Sequence, residues 1–206
     1  MDLPKPLFIG FRVKKVAVAD WLAGREVCSV SDCVSTPPPG WIQRWDFNRA
    51  SCYNSEAAAR DTIPAGDDAL YNLLAYRMYP VEFTPGGHRK VNLNSRLSSF
   101  GDALPVEPDL PAFRFIGFDV VLGPTFVPKD NPHEVGWRVL LGFACSPLSC
   151  NSLGDSDEFH VNQYYLLDEI DTAIRAAKTF STSEQAEPGW YFIFEVLRKE
   201  PMGCRQ

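Results

Sequence analysis

The chain repeats itself, and repetition limits the folds open to it more than any other feature. Phe8-Ile9-Gly10-Phe11-Arg12-Val13 returns as Phe115-Ile116-Gly117-Phe118-Asp119-Val120, with five identities in six. Behind each copy stands the motif C-S-x-x-x-C, beginning at Cys28 and again at Cys145. A helix-forming run follows each motif, at 55–60 and 168–173, and an apolar aromatic run closes each half, at 70–81 and 190–197. The same four features in the same order point to a diverged duplication. The expected division is a first unit over 1–100, a proline-rich linker over 101–112 and a second unit over 113–206, with one compact domain as the alternative.

Periodicity then assigns elements. Leu7 to Val18 and Phe113 to Leu122 are rich in Phe, Val and Ile and read as strands. Val135 to Ala144 reads as a further strand, and Arg25 to Val30 as its shorter counterpart. The clearest helix runs from about Glu169 to Phe180, with Asp168 as N-cap and Ile170, Ala173, Ile174, Ala177 and Phe180 on one face. A second helix is expected at Trp41 to Asn48. After Pro188-Gly189, the run WYFIFEVL begins a nearly continuous apolar strand. The fold class is therefore α+β: two divergent β-β-α-β pseudo-repeats about a pseudo-twofold axis, their sheet or sheets covered by helices.

Six cysteines stand at 28, 33, 52, 145, 150 and 204. The start of the chain carries no basic segment leading into an apolar core, so the expectation is a reducing, cytoplasmic setting with free thiols. The two C-S-x-x-x-C loops, brought together, would offer Cys28, Cys33, Cys145 and Cys150, four thiolates for one tetrahedral zinc. Buried cysteines acting as small apolar side chains are the simpler expectation. A thiol enzyme would need a base near its nucleophile, and Cys150 with His160 is the pair the spacing allows. No phosphate-binding glycine loop, nucleophile elbow or H-E-x-x-H motif occurs, so catalysis is not the leading expectation.

Net charge is −6, but it is unevenly shared: +1 over 1–104 and −7 over 105–206. This argues against a broad nucleic-acid surface, and no apolar run is long enough to span a membrane. Asp155, Asp157, Glu158 and Asp171 concentrate the acidity and would steer a basic protein partner. Trp41 and Trp45, one helical turn apart with Arg44 between them, are candidate interface anchors. The leading expectation is an acidic, non-enzymatic binding protein, of the immunity or inhibitor type.

Overall fold

The computed structural model describes residues 2–16, 24–39, 48, 50, 52–93, 103–123, 125–126, 141–142, 145–150 and 158–200. In chain order these give β1 (Leu7–Lys15), α1 (Glu56–Arg60), β2 (Tyr71–Met78), β3 (Val81–Thr84), β4 (Gly87–Lys90) and β5 (Phe113–Leu122). Then follow β6 (Thr125–Phe126), β7 (Leu141–Gly142), α2 (Pro147–Cys150), α3 (Ile170–Thr182) and β8 (Tyr191–Lys199). The fold is α+β, with one six-stranded antiparallel sheet drawn from both halves of the chain and a separate two-stranded ribbon, β6 with β7.

Strand β8 organises the sheet. Strand β5 pairs with it over its whole length, from Phe113 opposite Lys199 to Leu122 opposite Tyr191. A strand has only two edges, so β2 and β3 share the other. Leu74 to Met78 lie opposite Arg198 to Phe194, and Phe83 lies opposite Tyr191. Strand β1 then pairs with β2, and β4 with β3. The two halves thus meet along β2 and β8, where Arg77 faces Glu195 and the pair is bridged at 3.1 Å.

Each face buries apolar side chains because the strands alternate. On one face Ile9, Leu74, Tyr76, Ile116, Phe192, Phe194 and Val196 pack against Cys28, Val30, Cys52 and Leu166 from irregular segments. The opposite face is divided between two helices. Helix α3 lays Ala173, Ile174, Ala177 and Phe180 over Val120, Leu122, Tyr191 and Ile193. The shorter α1 brings Ala59 against Phe8, Phe11, Leu73 and Leu197.

The two FIGF strands are held alike. Each has a register shift before its glycine, between Phe8 and Gly10 and between Phe115 and Gly117. Gly10 has φ 126° and Gly117 φ 142°, a region that excludes most side chains. A Cβ on Gly10 would lie 2.6 Å from Tyr53 O, and one on Gly117 2.7 Å from Leu166 Cβ. The residue after each glycine exchanges two backbone bonds with a neighbouring segment, Phe11 with Tyr53 and Phe118 with Leu167. Asn48 Nδ2 donates to Ile9 O and Asn54 Oδ1, while its Oδ1 accepts from the N–H groups of Ala50 and Cys52. Asn162 Nδ2 donates to Ile116 O and Asp168 Oδ1, while its Oδ1 accepts from Tyr164 and Leu166.

Several sequence expectations need correction. Arg25 to Val30 forms no strand; it is irregular chain, bonding instead to Gln163 and Tyr164 through the N–H groups of Glu26 and Cys28. The residue in the N-cap position of α3 is Glu169, without a side-chain capping bond, because Asp168 is occupied by Asn162. The proposed helix at Trp41 to Asn48 lies outside the described residues except for Asn48. Of the strand expected at 135–144, only 141–142 is described, as β7.

Candidate metal centre

The segment 24–36 packs on the sheet face that bears Ile9, Leu74 and Tyr76, and charged side chains hold it there. Arg12 and Asp119 occupy the one position that differs between the two six-residue FIGF-x-V motifs. Both point at Val30: Arg12 Nη1 donates to its carbonyl, and its N–H donates to Asp119 Oδ2 at 3.1 Å. Arg12 also makes a two-pronged bond to Asp32, at 2.7 and 2.8 Å. Lys14 is fully buried, and its ammonium donates to Asp32, Ser31 O, Ser35 O and Val30 O. Burial, and then the neighbouring Arg12, pull the Lys14 ammonium down to about 7. A buried cation so enclosed fixes the loop rather than acting on a ligand.

Beyond this anchor the two C-S-x-x-x-C segments meet. Ser29 and Ser146, the second residue of each motif, donate to the two oxygens of Asp119 at 2.6 and 2.7 Å. Leu122, at the end of β5, pairs with Cys145, and one short helical turn carries the chain on to Cys150. As a result the sulfurs of Cys33, Cys145 and Cys150 all lie within 4.8 Å of one another. On a tetrahedral zinc with bonds of about 2.3 Å, thiolate sulfurs stand about 3.8 Å apart, so small side-chain adjustments close the group on an ion. Cys145 is buried, Cys150 half-buried and Cys33 exposed, which leaves the centre reachable from solvent.

The three thiols do not titrate alike. Hydrogen bonding from Cys145, assisted by Cys33 and the Ser146 backbone, outweighs burial and brings Cys150 down to about 6. Cys145 moves far up because it donates to Cys150, and Cys33 moves up chiefly through burial. Cys150 is thus the most acidic thiol of the group, and the thiolate is the form in which thiols bind metals.

Sequence reasoning offered four ligands as an alternative to buried structural cysteines, and the structure brings together three of those four sulfurs. Cys28 instead sits in the sheet core, where Asn72 Nδ2 approaches its sulfur at 3.9 Å and burial pushes the thiol up to about 12. The reason lies in the path of the loop: its start is tied to Tyr164 and its middle to Asp119, so only its far end reaches Cys145. Cys52 is buried elsewhere in the same core and also pushed up to about 12. The five described cysteines are free thiols.

The remaining candidates are dispersed. Cys150 has Cys145 and Cys33 as hydrogen-bonding neighbours, and His160 stands exposed next to the buried Phe159. Two clefts, of about 440 and 680 Å³, are lined by other residues and include neither Cys150 nor His160. Glu158 and Asp171 are exposed, and Glu158 accepts a bond from Thr179 at 3.4 Å. Trp41, Arg44, Trp45, Asp155, Asp157 and Cys204 lie outside the described residues. The serine–aspartate junction at Ser29, Ser146 and Asp119 was missed from sequence. Its signal was the serine at the same place in both motifs and the Arg12/Asp119 difference.

Among the described residues no helix is long and apolar enough to cross a membrane. No protein-family model, curated protein or solved structure matches this chain.

Proposed function

We propose that this chain is a metal-binding α+β protein in which Cys33, Cys145 and Cys150 hold a thiophilic divalent ion, zinc foremost, as a clamp between its two C-S-x-x-x-C segments. The observation that carries this reading is the approach of three sulfurs, from segments more than a hundred residues apart in sequence, to within 4.8 Å. Three thiolates and an accessible remaining position suit zinc, whose sites take four ligands and bind sulfur well. An ion there would tie segment 24–36, from the first half, to the end of β5, from the second. The test is to purify the protein without chelator, measure bound metal, and replace it with Co(II). One equivalent of metal and an intense thiolate-to-cobalt absorption band are expected. Absence of both, in protein whose thiols remain reduced, would end the proposal.

The same reading takes the halves as diverged copies of one unit about a pseudo-twofold axis between β2 and β8. The matched bulges at Gly10 and Gly117 and the matched bonds of Asn48 and Asn162 support it.

A second reading, an acidic docking face for a basic protein, draws on the exposure of Glu158, Asp168, Glu169 and Asp171 at and near α3. It predicts salt-sensitive binding of a basic probe such as lysozyme, lost when Glu158 and Asp171 become lysine. Binding that survives this double replacement would refute it.

A further inference from the structure

We propose that Asp119 is the positioning residue of the thiol centre, setting the spacing of all three sulfurs without touching the ion. This rests on the metal reading above. Asp119 lies on β5 with no exposed surface, and its carboxylate is shared between the two motifs. Oδ1 accepts from Ser146 Oγ at 2.7 Å; Oδ2 accepts from Ser29 Oγ at 2.6 Å and from Val30 N–H at 3.1 Å.

From each serine a short path of bonds leads to the ligands. Ser146 follows Cys145 directly, and its carbonyl accepts the N–H of Cys150 at 2.8 Å. Both ligands of the second motif therefore hang on one residue that Asp119 holds. On the other side, Ser29 Oγ accepts the N–H of Ser31 at 3.0 Å, and Ser31 Oγ accepts the N–H of Cys33 at 3.3 Å. The path Asp119–Ser29–Ser31–Cys33 places the third ligand. Partners of this kind orient metal ligands, and losing one typically weakens binding by about 10–100-fold.

A carboxylate is the group that suits this junction. Burial pushes the Asp119 carboxyl up, and the three donors that converge on it pull the other way; once ionised, it accepts at both oxygens without offering a proton of its own. In Asp119→Asn one oxygen becomes an NH₂ group, which must face either the Ser146 hydroxyl or the Ser29–Val30 pair. One motif then loses its hold while the side chain keeps its size.

The experiment measures Zn(II) affinity by chelator competition, and the Co(II) absorption spectrum, for full-length wild type, Asp119→Asn, Ser29→Ala and Ser146→Ala. Asp119→Asn is expected to bind about 10–100-fold more weakly, with displaced Co(II) ligand-field bands. Each serine variant should fall between it and wild type. A merely structural role would lower the denaturation midpoint equally with and without metal and leave affinity and spectrum unchanged. Should Asp119→Asn fail to fold, the serine variants decide: folded protein with wild-type affinity in both overturns the proposal. If wild type binds no metal, the metal reading falls and this proposal with it. If wild type and all variants bind equally, the positioning role alone is refuted.

Discussion

Arg12 and Asp119 grip opposite ends of a single residue: Arg12 takes the carbonyl of Val30, and Asp119 takes its N–H. These two side chains occupy the same place in two otherwise identical six-residue motifs, and their opposite charges match the acceptor and donor of one peptide segment. The one difference between the two FIGF-x-V motifs thus falls where the first half's loop is fastened across the sheet.

The thiol centre should be specific to three cysteines. Cys33→Ser and Cys150→Ser are expected to lose most of the bound metal, while Cys28→Ser keeps one equivalent because its sulfur lies in the sheet core. Elemental analysis of the purified variants checks this. Metal loss in Cys28→Ser equal to that in Cys33→Ser would restore a four-cysteine site.

The two bulge glycines should be intolerant to the same degree. Gly10→Ala and Gly117→Ala each force a Cβ to within 2.6–2.7 Å of packed atoms at positive φ. A loss of about 2–4 kcal/mol is expected for each, combining conformational cost with overpacking. Gly66→Ala, also at positive φ but in open space, should lose only about 1 kcal/mol. Urea denaturation gives all three, and equal losses across the set would show that packing contributes nothing.

Removal of the Lys14 ammonium should change how stability depends on pH. Its folded value is about 7, against an unfolded value of 10.5. Below pH 7 both states hold the proton, so the group adds no slope. Between about 7 and 10.5 the unfolded state binds more protons, so stability rises with pH there. Relative to Lys14→Met, wild type should therefore gain stability as pH climbs through that window. A difference that stays flat from about pH 6 to 10 would contradict it.

Helix α3 is held by one ring above all. Phe180 is almost wholly buried, edge-on to Phe159 and tilted against Tyr191. Phe180→Ala should cost about 3–5 kcal/mol. A loss below about 1 kcal/mol in chemical denaturation would mean the helix repacks without it.

What could be read from the sequence divides along physical lines. Strand β5 falls on the expected residues, and α3 within two residues, because both carry a strong apolar period that burial enforces. Residues 25–30 were misread because apolar residues there pack onto a sheet without joining it; periodicity records burial, not backbone pairing. The convergence of Cys33 with Cys145 was open to the sequence only as the alternative to buried cysteines, and the separation of Cys28 was not foreseen. That outcome depends on where Asp119 and Tyr164 pin the loop, contacts about 90 and 136 residues away in sequence. Asp168 shows the same limit: a good capping residue by local rules is taken by Asn162 once the chain has folded.

The pairing of β2 with β8 also sets a timetable for synthesis. Strand β2 can gain β1 as soon as residue 78 has emerged, but its other edge has no partner until the chain reaches 194–198. For more than a hundred residues of translation the first half presents an open apolar edge, the state most prone to pair with the wrong chain. Slowing elongation after β2 should therefore raise aggregation of nascent chains, and supplying residues 113–200 in trans should relieve it.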